Sequence, residues 1–223
     1  MSRNKLYIIL TCSVLFAVFF SCKKTAAPNL HFNYFANFEG NYNVYDVVDI
    51  THDTGAHDTL RYQIKTVWGE TYIDNEGRAN RKFRRYKRLN SIYPWVLKDT
   101  WYGMINGIRA ELVEENQRTV KLVFSPTSDK EWDANAYNTF APLTCYYDDI
   151  HLSKSIGNLS FDSTVVVEQA NQTSLIDTIR KYEVYAKNVG LIYKYYKEND
   201  YQLFGAPVNG KELYYTIIET GIE

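Results

Sequence analysis

Strict alternation of apolar and polar residues recurs along this chain, and a period of two is the signature of a half-buried β-strand. Leu60, Tyr62 and Ile64 alternate with Arg61, Gln63 and Lys65, and Tyr182, Val184 and Ala186 alternate with Lys181, Glu183 and Tyr185. Ile108, Ala110 and Leu112 share one face, as do Val120, Leu122 and Phe124, and Glu114–Gln117 between them predicts a hairpin turn. Thr164–Val167 is β-branched on both faces, which suits a central strand. Leu213, Tyr215 and Ile217 form one face of a last strand, with Tyr214, Thr216 and Ile218 on the other. Turn residues stand at Asp74–Gly77, Ser155–Asn158 and Val208–Lys211. No stretch carries a long helical period, and Ser174–Tyr182 comes nearest to a short helix. Roughly ten strands at this spacing predict an all-β domain, either an antiparallel sandwich or a strongly curved, partly open barrel.

Composition supports this reading. Twenty of the 223 residues are tyrosine, a side chain suited to half-buried strand positions because its ring packs inward while its hydroxyl reaches water. The same chemistry suits sugar faces. The net charge of −1 argues against nucleic acid as a general partner.

The first residues set the address. Arg3 and Lys5 precede an apolar run of fifteen residues, Leu6–Phe20, followed by Ser21 and Cys22. This is a secretory leader, too short and wrongly flanked for a stable membrane span. Cysteine after a small residue resembles the lipobox of bacterial lipoproteins, which implies cleavage after residue 21 and lipidation of Cys22; a plain secreted protein is the alternative. Losing Arg3 and Lys5 reduces 25 basic residues to 23 against 26 acidic ones, a charge of −3. Cys12 leaves with the leader and Cys22 bears lipid, so Cys145 has no partner for an internal disulfide. Its strand-like context, Leu143–Tyr147, reads as a small buried hydrophobe.

The expected organisation is a leader (1–21), a lipid-anchored tether (22–33) containing Pro28, and a single β domain (34–223). The opening of that domain, Tyr34-Phe35-Ala36 followed by Gly40-Asn41-Tyr42-Asn43-Val44-Tyr45, resembles a Tyr-Phe-Pro…Gly-x-x-Trp-x-Tyr pattern. That pattern belongs to cell-envelope lipoproteins of Bacteroidetes-type bacteria, with Ala36 standing for the proline and Asn43 for the tryptophan. Val189-Gly190-Leu191-Ile192 resembles a strand near the end of the same proteins. The resemblance implies an all-β envelope domain and no particular activity. Surface-exported members carry an acidic run after the cysteine, whereas Lys23 and Lys24 stand here and no acidic residue precedes Glu39. The outer membrane, facing the periplasm, is the location this favours.

Three stretches could carry chemistry. His52-Asp53-Thr54-Gly55-Ala56-His57-Asp58 offers imidazoles and carboxylates for a divalent metal at His52, His57, Asp53 and Asp58. Its Asp-Thr-Gly-Ala resembles the loop of retroviral-type aspartic proteases, but no second Asp-Thr-Gly supplies the partner carboxylate. A polar hairpin tip is the reading adopted. Arg78–Arg88 holds seven cations in eleven residues, among them Arg81, Arg84 and Arg85. It reads as an edge strand guarded by charge, with anionic lipid or acidic glycan as the sharper alternative. Trp95, Trp101 and Tyr102, with Trp132 beyond, would form a sugar-stacking patch if they meet on loops, or cap the core if they do not.

There is no Gly-x-Ser-x-Gly, His-Glu-x-x-His, Cys-x-x-Cys or phosphate-binding glycine loop. The sequence therefore leans away from catalysis and implies no cofactor. It predicts a non-enzymatic envelope binding module for a glycan, a lipid or another envelope protein, held to the membrane through Cys22. A hydrolase with dispersed acidic residues or a histidine-loop metal, and an assembly factor without small ligand, are the alternatives.

Overall fold

The computed structural model describes residues 27–54, 56–202 and 205–223; the leader, Cys22 and the first tether residues lie outside the described residues. After a short 3-10 turn at Phe32–Tyr34 come twelve strands. They are β1 (Asn41–Asp53), β2 (Ala56–Ile73), β3 (Ala79–Arg88), β4 (Val96–Asn106), β5 (Arg109–Glu114) and β6 (Gln117–Val123). The second half supplies β7 (Glu131–Asp133), β8 (Thr144–Ile156), β9 (Leu159–Thr173), β10 (Asp177–Ala186), β11 (Gly190–Tyr201) and β12 (Pro207–Ile222).

All twelve join one antiparallel sheet, which curls into a nearly closed barrel with one unsealed seam. Of the two architectures the alternation allowed, the barrel is the one formed. Sheet neighbours are neighbours in sequence with one exception: β1 pairs with β12, from Asn41 opposite Ile222 to Asp53 opposite Asn209. The seam therefore falls mid-chain, between β6 and β7. Side chains bridge it: the Tyr147 hydroxyl accepts from the Val123 amide (2.9 Å) and donates to the Val123 carbonyl (3.0 Å), and Trp132 Nε1 donates to the Val120 carbonyl (3.0 Å).

The 108–124 segment forms the expected hairpin, with Glu115 and Asn116 both at positive φ (47° and 63°), the backbone a two-residue hairpin turn requires. Val165, Val166 and Val167 are buried on both faces of β9, as a central strand demands. Three expectations are corrected. The basic stretch is not an edge strand, because β3 lies between β2 and β4. Asp177 onward is strand rather than helix, since β9 and β11 give it hydrogen-bonding partners on both sides. Val208–Lys211 belongs to β12 rather than to a turn; Gly210 (φ 138°) is needed there because a Cβ would collide with the Glu198 carbonyl.

One hydrophobic cluster gathers Tyr34, Trp68, Leu122, Phe124 and Tyr147, and a second gathers Tyr45, Ile64, Val184, Ile192 and Ile217. The chain packs before Tyr34, as Leu30 rests on the first cluster and Phe32 meets Phe124 edge to face at 4.9 Å. Gly103 lets Trp68 fill its place, since a Cβ there would lie 2.5 Å from the indole. The outer wall carries ion pairs such as Glu70 with Lys82 and with Arg84.

Candidate binding cavity

Because alternate residues of each strand point inward, the curled sheet collects side chains from nine strands around a cavity of about 90 Å3. One wall is aromatic, with Trp68, Phe83 and Trp101; the other is charged. Lys121 Nζ stands 3.0 Å from Glu114 and 3.6 Å from Glu183, and Lys194 Nζ stands 3.5 Å from Glu183. The Tyr185 hydroxyl donates to the other Glu183 oxygen at 2.6 Å. Further round, Arg85 pairs with Asp99 at 3.2 Å, donates to the Tyr215 hydroxyl at 3.1 Å and lies 3.8 Å from the Trp101 ring centre.

These groups are charged despite their burial. Burial opposes ionisation of Glu183, yet Lys121 and Lys194 outweigh it and hold the carboxyl at about 2. Burial likewise opposes the charge of Glu114, and Lys121 still draws it below its ordinary value. Burial would depress Lys121, but Glu114 and Glu183 raise it above the usual lysine range. The Tyr185 phenol is pushed up by burial and then by the Glu183 charge. General acid catalysis by paired carboxyls needs one held protonated near neutral pH; Glu114 and Glu183 are both held ionised. Asn43 adds a different group: its amide donates to the Val189 carbonyl at 2.8 Å, while its Oδ1 is buried without a partner among the described residues.

The aromatic residues singled out in sequence do not form one patch. Trp101 lines the cavity, Trp132 closes the seam, Tyr102 packs against Tyr72 and Trp95 lies under Arg88 near the β3–β4 turn. Nor do the cations act together. Arg81 bonds Glu39 and the Gly69 carbonyl, Arg84 bonds Glu70, and Arg85 alone turns into the barrel. His52 and His57 meet through their Nδ1 atoms at 2.7 Å, and His52 Nε2 contacts Glu212 at 3.2 Å. Asp53 instead accepts from Thr54, and no group of three or more histidine, cysteine or acidic residues placed to hold a metal occurs among the described residues. Cys145 is buried, and burial, then the Glu183 charge, pushes its thiol up to about 12, which leaves it unreactive.

Two features were missed. Lys121 reads as outward by alternation with Val120 and Leu122, but a bulge opposite Ala110 and Glu111 turns it into the cavity. A second polar cluster joins residues more than a hundred positions apart: the Tyr34 hydroxyl bonds His151 Nδ1 (2.6 Å) and Ser163 Oγ (2.8 Å), and the His31 ring lies tilted against His151 at 4.5 Å. Nothing in the local sequence signals such a meeting. Compared with protein-family models, curated proteins and solved structures, the chain matches none.

Proposed function

We propose that this is a lipid-anchored, non-enzymatic envelope protein whose barrel cavity binds a small polar group, most simply the terminal sugar of a glycan. The observation that carries this reading is the Glu114–Lys121–Glu183–Lys194 row beside an aromatic wall. An interior serving stability alone is better filled with apolar side chains, because burying ions is costly even when they are paired. Charges of both signs offer donors and acceptors to hydroxyl groups, Asn43 Oδ1 awaits a donor, and Trp101 and Phe83 offer apolar contact. At about 90 Å3 the cavity suits the end of a ligand rather than a whole oligosaccharide. The anchor at Cys22 and the outer-membrane location rest on the leader and on the resemblance to envelope lipoproteins. Within the hydrolase alternative, a general-acid role for Glu114 or Glu183 is disfavoured, because neighbouring lysines draw both carboxyls below their ordinary values.

Native mass spectrometry of the protein, purified in mild detergent from the producing cell's envelope, tests this. A retained sugar-bearing ligand is expected in the wild type and not in Trp101→Leu. A bare mass across several detergents would overturn the cavity reading and shift the weight to a protein partner.

A further inference from the structure

The β3–β4 turn exposes apolar surface on a scale that isolated surface hydrophobes do not reach. Leu89, Ile92, Tyr93, Val96 and Leu97 are 58, 87, 51, 63 and 54 % exposed, five large side chains within nine residues. Several of them line a groove of about 490 Å3 whose rim carries Lys87, Arg88 and Lys98. From Lys87 to Lys98 the sequence contains these three cations and no acidic residue. Lys98 is paired with Asp99, while Lys87 and Arg88 have no acidic partner among the described residues. The turn is preset: the Asn90 side chain accepts from the Ile92 amide at 3.0 Å and the Asn90 carbonyl from the Tyr93 amide at 3.1 Å. Arg88 lies 4.0 Å from the Trp95 ring centre, and Leu89 and Leu97 directly adjoin Arg88 and Lys98 in sequence.

We infer that this hairpin tip is a membrane-docking element that inserts its apolar residues into a bilayer surface rich in anionic lipid. Apolar and aromatic side chains at the turn, flanked on both sides by cations, match the apolar and headgroup regions that a docking segment meets at a bilayer surface. The charge complementarity selects anionic lipid, because each cation near such a surface contributes about 1 kcal/mol, about fivefold in partitioning. A turn already fixed in shape loses little conformational freedom on docking. The inference does not depend on lipidation of Cys22.

The test is hydrogen exchange at residues 88–97 of the full chain, so that binding through any other segment does not count. Vesicles of phosphatidylethanolamine with phosphatidylglycerol are compared with vesicles of phosphatidylcholine alone. Slowed exchange at the tip is expected on the anionic vesicles only. It should be lost in an Ile92→Asp, Leu97→Asp double variant, and Lys87→Gln should weaken vesicle binding through the tip about fivefold. Both variants alter exposed positions, and an unchanged thermal midpoint will show that the barrel is intact. Unchanged exchange on anionic vesicles, or equal slowing on phosphatidylcholine, would overturn the assignment. Slowing seen only after an envelope protein fraction is added would overturn it in favour of protein docking.

Discussion

Arg84 and Arg85 are neighbours on β3, and they face different solvents. Arg84 turns outward to Glu70 with its side chain about a third exposed, while Arg85 turns inward among Asp99, Tyr215 and Trp101 with 9 % of its side chain exposed. The carboxylates on the two sides make the same point. Glu70 and Glu183 are both held at about 2, from different causes. Glu70 is held down at the surface by hydrogen bonds, first from Lys82 and then from its own backbone and Arg84. Glu183 is held down against its burial by Lys121 and Lys194. Equal acidity thus conceals unequal consequence. Water and salt can replace what Lys82 does for Glu70, whereas nothing replaces Lys121 beside Glu183.

Glu183→Gln should separate the two sides most strongly. It leaves Lys121 and Lys194 facing only Glu114, so urea denaturation at neutral pH is expected to show a loss of about 3–5 kcal/mol. Because the folded-state value of Glu183 lies below its ordinary 4.5, its contribution is present above that pH and is lost as pH falls through about 2. The gap between wild type and variant should therefore close between about pH 4.5 and 2. A gap that persists unchanged to pH 2 would mean that Glu183 is not held ionised by the lysines. Arg85→Met comes next: it keeps the packing on Trp101 but strands the Tyr215 hydroxyl, and about 1–3 kcal/mol is expected in the same assay. Lys82→Ala should do least. Its small shift in urea midpoint should vanish in 1 M salt, where the screening length is about 3 Å, while the Glu183→Gln loss persists. A salt-resistant effect at Lys82 would erase the distinction between inside and outside.

Much of the β-fold could be read in sequence because strand alternation and hairpin turns are local. The 108–124 hairpin and the central strand at Thr164–Val167 needed only their own residues. The cavity could not be read that way. Alternation makes Glu183 and Tyr185 share a face but cannot say that the face is inside a barrel. The bulge that turns Lys121 inward carries no mark of its own in the residues around it. Likewise, seven cations in a row say that a strand is charged, not that β2 and β4 flank it.

The residues alone determined an all-β domain, its 108–124 hairpin and its central strand at Thr164–Val167. Local periodicity and composition suffice for these, since each depends on a few consecutive residues. Tertiary structure alone decided that β1 pairs with β12, that the open seam lies between β6 and β7, and that Glu114, Lys121, Glu183 and Lys194 meet. Those outcomes depend on strand order, register and curvature. Such quantities are set by long-range pairing and by bulges that a period of two does not encode.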